Sequence, residues 1–439
     1  MKILVVLPRF PWPLDKGDKL RAYHQIVELS KHHDIYLFAV SHRRVLPEHI
    51  KALEPYCREI RAVHLNKLVC GKNILRNWLS SKSLQMGYWN TKHAKRACRA
   101  FAREVQPDVV YSQMVRTMPL VARLPFPKVM DFQDALSMNT ERRMEQTKGL
   151  WHYLLHYEFK MLRSSEYKAF SVFDALTIIS EVDSEAIPHK KNGEIHIVPN
   201  GVNFDYFSAQ DKSKLSIFLP GSKGDTACDR SGANSQFSIC FCGNMAYAPN
   251  VDAARYLVNE VMPLVWSRIP SATLLIAGAD PKPSVRTLAS KRVTVSGRLD
   301  DIREAYASAQ VFVAPMRLGS GLQNKLLEAM AMQVPCVTTP IAATPLLANG
   351  GDVFITHHSS FNTHPPLLVG DTPEALADAI VRLIESQELR DSIAAAGNSF
   401  VKEHYSWSSA VEPLEQIFQS VSHSAWPLVT ACDQSGANH

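Results

Sequence analysis

No stretch of this 439-residue sequence approaches the roughly 18 consecutive apolar residues that a bilayer-spanning helix needs. Its apolar start, Ile3 to Leu7, is cut by Pro8, Pro11 and Pro13, so it reads as a first strand and not as a signal peptide. Cysteine is sparse and scattered: there are eight, and no His or second Cys pair stands near Cys240 and Cys242 at zinc-type spacing. The expectation is reduced thiols, packing roles and a cytoplasmic address. The first strand is not followed by G-x-G-x-x-G, only by PRFPWP and then Gly17, which argues against a nicotinamide-binding Rossmann domain. No internal repeat is visible, and no acidic residue occurs between Arg61 and Arg103.

What is present is an alternation of strands and helices, which predicts α/β architecture with parallel sheets covered on both faces. With 46% hydrophobic content the chain can build two cores. Strands are expected at 2–7, 35–40, 108–111, 128–131 and 175–179, with a helix over 19–31 that Asp18 could N-cap. A second set is expected at 238–242, 272–277, 293–295, 311–314 and 336–338. Residues 209–236 turn polar and aperiodic, the composition of a linker or surface excursion. The division read from this is a first domain over 1–208, a second over 237–405, a final amphipathic helix over 406–421 and a loose tail over 422–439.

The densest chemistry lies in APMRLGSGLQNKLLEAMAMQVPCVTT, residues 314–339. Pro315 ends an apolar strand, and Gly319 and Gly321 flank Ser320 in a turn able to approach a ligand closely. From Leu322 the pattern becomes helical, with Leu322, Leu326, Ala329 and Met330 on one face and Lys325 and Glu328 on another. A helix N-terminus behind such a turn presents free N–H groups to phosphate. Arg317 and Lys325 would add full charge, and Glu328 could accept bonds from paired hydroxyls such as those of a ribose. The plainer account is a surface Lys–Glu pair on an ordinary helix.

The sequence resembles the retaining glycosyltransferases of family 4, two-domain enzymes of the GT-B fold, and within them the branch associated with bacterial exosortase and exopolysaccharide systems. The resemblance rests on KILVVLPRFPWPLDKGDKLR at the start, IVPNGVNFDYF at 197–207, FCGNMAYAPNVDAARYLVNEVMPLV at 241–265, VTVSGRL at 293–299 and GLQNKLLEAMA at 321–331, in the family's order. It implies two Rossmann-like domains facing across a cleft. It also implies a nucleoside-diphosphate sugar as donor, transfer with retention, and charge stabilisation on the leaving diphosphate without a metal or other cofactor. Gly17 would let a loop of the first domain close over the diphosphate. Gly243 and Asn244 would lie in the donor loop. Gly297, Arg298 and Leu299 would lie beside the nucleobase, although a bare strand-to-helix turn accounts for them equally well. Arg317, Lys325 and the amides of Gly321, Leu322 and Gln323 would serve the phosphates, and Glu328 the ribose. Pro199-Asn200-Gly201 matches the family's turn before the second domain and reads as a tight turn with Gly201 at positive φ in preference to a direct ligand contact.

Three departures bear on these roles. Where the family carries an Arg and a Lys in the first loop of the second domain, this chain has Asn244 and Pro249, which shifts the phosphate role toward Arg317. The first of the family's paired glutamates is replaced by Ser320. Near the strand end where relatives place a His, the chain offers Asp134, as a sugar-binding or catalytic group or, with Asp131, as a loop cap. Residues 61–103 hold ten Lys and Arg with Trp78, Tyr88 and Trp89 interleaved, a composition suited to an anionic membrane surface or a lipid diphosphate acceptor, or to a merely solvated face. Nucleic acid is disfavoured because no binding motif accompanies the charge. The reading is a glycosyltransferase acting on a sugar or lipid-linked glycan acceptor, peripheral at the inner face of the plasma membrane. An NDP-sugar epimerase or hydrolase of the same fold and a silent sugar-nucleotide binder stand as alternatives.

Overall fold

The computed structural model describes residues 1–14, 16–145, 147–188, 194–208, 237–318, 322–347 and 365–424. The expected linker over 209–236 lies outside them, as do Ser320, Gly321 and residues 425–439 of the expected tail.

Seven parallel strands make the sheet of the first unit: β1 (Lys2–Leu7), β2 (Asp34–Ser41), β3 (Glu59–His64), β4 (Val109–Gln113), β5 (Lys128–Asp131), β6 (Ala175–Ile178) and β7 (His196–Ile197), in the order β3-β2-β1-β4-β5-β6-β7. Helices cover both faces, so β1 is apolar almost throughout and buried from Ile3 to Leu7. The second unit repeats the plan with β8 (Phe237–Cys242), β9 (Leu274–Ala277), β10 (Val293–Gly297), β11 (Ala309–Ala314), β12 (Cys336–Thr338) and β13 (Leu368–Val369), ordered β10-β9-β8-β11-β12-β13. In both sheets the strand order reverses beside the first strand, between β1 and β4 and between β8 and β11. Ligands of open α/β sheets bind at the carboxyl ends of the strands at such points.

The first unit comprises residues 1–199 and 410–439, the second 200–409. The break therefore falls before residue 200 and not at 208. Val202 N–H bonds Tyr405 O at 2.7 Å, and Val202 and Phe207 enter the second core. Gly201 does not take the positive φ expected of it. A Cβ there would lie 2.6 Å from Trp407 Cα, so close backbone approach is what requires the glycine. From Ala410 the helix Trp407–Ser424 belongs to the first unit, where Phe418 meets the Tyr111 ring at 5.2 Å. Asp18 is not an N-cap: the helix runs Gly17–Leu29 with Lys16 at that position, and Asp18 in the first turn pairs with Arg9 at 3.0 Å.

A buried polar network ties β4, β5 and the 17–29 helix together. Arg21, 1% exposed, donates through Nε to Asp131 at 2.7 Å and through its terminal nitrogens to Val198 O and Pro199 O. Asp131 also accepts from Tyr111 OH at 3.0 Å and from Gln133 N–H at 3.0 Å. Gln133, Gln113 and Gln25 continue the chain of bonds. Asp131 is thus a structural counter-ion.

Candidate functional site

The second unit places Lys325 and Glu328 on the helix Asn324–Ala331, which follows β11 at the switch point. Leu326, Ala329 and Met330 of that helix are buried in the core, which turns the two charged side chains toward the carboxyl edge of the sheet. They are not a surface ion pair, for each is half-buried and bonds a different partner. Lys325 Nζ donates to Asn250 Oδ1 at 2.5 Å and stands 5.0 Å from the Phe241 ring centre. Glu328 Oε2 accepts from Tyr306 OH at 2.6 Å. Desolvation raises the Glu328 carboxyl to about 7, against the opposing pull of the Tyr306 bond and Lys325. Desolvation also lowers the Lys325 ammonium to about 8, so it remains charged at neutral pH.

Asn250 and Tyr306 were not identified from the sequence. Asn250 is buried in the first turn of the helix Ala248–Tyr256; its Nδ2 donates to Asn244 O at 3.0 Å while its Oδ1 receives Lys325. It thereby fixes the loop after β8 to the lysine. A polar residue just inside a helix start was the available signal, and it names no partner. Asn244 closes a local turn by accepting from Ala246 N–H at 2.9 Å. Gly243 is required by packing, since a Cβ there would meet Asn250 Nδ2 at 2.6 Å.

Backbone bonds align the neighbouring strand ends: Gly243 N–H to Ala277 O, Met245 N–H to Ala279 O, and Gly278 N–H to Gly297 O. Gly278, absent from the sequence reading, has φ +142°, and a Cβ on it would lie 1.7 Å from Gly243 O. Gly297 has φ +71° with open space around it; Arg298 is exposed and Leu299 packs on the core. Gly278→Ala is expected to destabilise the protein by about 3 kcal/mol, through strain and contact together. Gly297→Ala, with φ strain alone, should cost about 1 kcal/mol. Urea denaturation of the two variants compares them, and equal losses would remove the close contact as the cause.

Arg317 does not join this group as the phosphate cation expected of it. It is bidentate to Asp252 at 2.9 and 3.1 Å, reaches Glu260 at 3.3 Å and lies 4.2 Å over the Tyr256 ring. Two carboxylates already neutralise it. Leu322 is half-buried against the core, and Gln323 occupies the N-cap position of the 324–331 helix.

In the first unit Gly17 begins its helix exposed, and a Cβ added to it would have nothing within 4 Å. Asp134 follows β5 and is exposed yet crowded by protein atoms. That crowding, then Asp183 and Asp131, pushes its carboxyl up to about 6.

Residues 236–386 match the family of glycosyl transferases group 1. A phosphatidyl-myo-inositol mannosyltransferase of Mycobacterium tuberculosis is 29% identical over 174 residues, 38% of this chain and 43% of that one. The chain thus spans less than half the length of this relative. The capsular polysaccharide biosynthesis glycosyltransferase CapM of Staphylococcus aureus is 23% identical over 297 residues, 63% of this chain and 68% of that one. Among solved structures, Anabaena HepE in complex with UDP-glucose superposes with a TM-score of 0.61 at 14% identity, over 95% of this chain and 99% of that one. WaaG, a glycosyltransferase involved in lipopolysaccharide biosynthesis, gives 0.55 at 14%, over 95% and 99%. A putative UDP-N-acetylglucosamine 2-epimerase from Listeria monocytogenes gives 0.53 at 12%, over 96% and 97%. These likenesses show the GT-B fold.

Proposed function

We propose, for a chain that carries a glycosyl transferases group 1 domain on a GT-B fold, that it moves a sugar from a nucleoside-diphosphate sugar to an acceptor hydroxyl in cell-surface polysaccharide or lipid-linked glycan assembly. The observation that carries this reading is the Lys325–Glu328 pair at the switch point of the second sheet, one cation and one carboxylate held apart by Asn250 and Tyr306. Lys325 neutralises charge on the departing diphosphate without a metal. Glu328 has one oxygen bonded to Tyr306, and among the described residues nothing bonds the other, which is free to take ribose hydroxyls. Retention, the family-4 mode, is supported by the sequence resemblance. Asp134 is the first-unit group assigned to the transferred sugar, and residues 61–103 the side from which a membrane-borne acceptor arrives. Transfer takes place at the cytoplasmic face of the membrane.

The pH dependence tests the pair. Hydroxyl donors favour ionised Glu328, so nucleotide affinity should climb as pH rises through about 7. Phosphate favours protonated Lys325, so affinity should fall as pH passes about 8. Calorimetric titration with the nucleotide that most raises thermal stability, in a screen of UDP-, GDP-, ADP- and TDP-sugars, measures both limbs. Glu328→Gln should weaken binding by about 1.5–3 kcal/mol and remove the acid limb. Unchanged affinity with an unchanged profile would take Glu328 out of the site.

A further inference from the structure

The exposed face of the first unit built by the helices Lys67–Leu79, Lys92–Val105 and Leu150–Ala169 combines three features. The first is apolar area facing solvent. Leu68 and Leu79 are each 78% exposed and Trp78 55%, while Leu150, Trp151 and Tyr153 on the 150–169 helix are 84, 67 and 72% exposed. Tyr157 OH, one turn from Tyr153, donates at 2.9 Å to Lys82 O, just past the end of the 67–79 helix. The second is charge of one sign. Lys67, Lys72, Arg76 and Lys82 are exposed on one side and Lys160, Arg163 and Lys168 on the other. The two acids of the 150–169 helix, Glu158 and Glu166, are buried, Glu158 accepting from Ser83 Oγ and from the N–H groups of Leu84 and Gln85. Arg61 leaves the basic set because Glu59 and Glu104 pair with it, and Trp89 leaves the aromatic one because it is only 7% exposed.

The third feature is a cavity of about 240 Å³ lined by Lys95, Arg99 and Arg123 together with Pro119, Leu120 and Leu124. That volume is below what whole cofactors occupy and suits a small anionic group. Burial, then Arg123, Arg76, Lys82 and Arg99, holds the Lys95 ammonium below its usual value, so the strongest charges acting on it are all positive. Arg76 and Lys82 flank Trp78 and Leu79 in sequence, which joins the cavity to the apolar face.

We propose that this face docks on an anionic lipid leaflet, with the apolar side chains of the 67–79 and 150–169 helices entering the headgroup layer and a lipid phosphate seated among Lys95, Arg99 and Arg123. Amphipathic surfaces of this composition bind at the boundary of headgroups and acyl chains, where aromatic rings settle. The proposal rests on the membrane-borne acceptor named above, and adds the seat and the second helix.

The test is co-sedimentation of the full chain with phosphatidylglycerol or phosphatidylcholine vesicles, without any sugar donor, so its outcome is independent of whether transfer is ever observed. Wild type should bind the anionic vesicles at low salt and lose them at high salt. Lys95→Gln/Arg99→Gln/Arg123→Gln should lower partition by about 10²-fold. Trp78→Ser/Leu79→Ser/Trp151→Ser should lower it by about 10-fold or more and abolish the blue shift of tryptophan emission on binding. Five of the six positions are exposed and Lys95 is half-buried, and unaltered thermal unfolding would establish that both variants fold. Three results overturn the proposal: wild type that ignores anionic vesicles at low salt, variants that sediment as wild type does, or cations needed for glycerol phosphate in solution but not for vesicles. Self-association of wild type without lipid, lost in the apolar variant, overturns it too, and makes a second copy the occupant.

Discussion

Lys325→Met is expected to lower turnover by about 10²–10³-fold, because negative charge on the departing diphosphate peaks in the transition state and a preorganised cation is worth most there. Methionine keeps the length of the side chain and its contact with the Phe241 ring while removing the charge. Binding of the donor should suffer less than turnover, since the ground-state diphosphate carries less negative charge than the departing one. Arg317→Ala is the matched control. With its guanidinium already held by Asp252 and Glu260, its loss should change turnover by no more than a few-fold. Release of NDP from the cognate donor, measured with a membrane extract as acceptor source and with chelator present, decides the matter. Full activity in Lys325→Met, or equal losses in the two variants, would reassign the phosphate cation. Activity that disappears with chelator would refute the metal-free reading.

Arg21→Met should cost about 3–5 kcal/mol of stability, the penalty for leaving Asp131 buried without its counter-ion. The carbonyls of Val198 and Pro199 lose their donors in the same step. Adding Asp131→Asn should recover a substantial part of the loss, because the amide carries no charge: its single oxygen can accept from Gln133 N–H, and its Nδ2 can donate to the Tyr111 oxygen while that hydroxyl donates to Gln25. Urea unfolding of the two single variants and the double variant gives the coupling directly. Additive losses would show that the ion pair is not the element holding the network together.

The strands that formed where the sequence placed them include those buried on both faces, such as β1 and β9, whose apolar runs leave little choice. The ones not anticipated have physical reasons for being silent. β3 is an edge strand, Glu59–His64, in which only Val63 is buried, and β7 and β13 are two residues each. The pairing of Lys325 with Glu328 was legible because three residues of helix fix it. Asn250 and Tyr306, which bond the two members of that pair, arrive from 75 and 22 residues away, and no local spacing announces such partners. The ion pairs of Arg317 were illegible for the same reason: a cation near a glycine turn looks free until distant carboxylates, here 65 and 57 residues off, are placed against it. Trp89 shows the limit of composition, since a six-residue helix turned it inward while Trp78 stayed out.

The near-contact of Gly278 with the Gly243 carbonyl has an evolutionary consequence. The path of the loop after β8 is set by main chain meeting main chain, and by Asn250, not by the side chains that the loop itself displays. Ala246, Tyr247 and Ala248 can therefore be exchanged without moving the amides around them. Under the function proposed above, a lineage built on this scaffold is free to drift in which base or sugar it prefers while the path of this loop stays where it is.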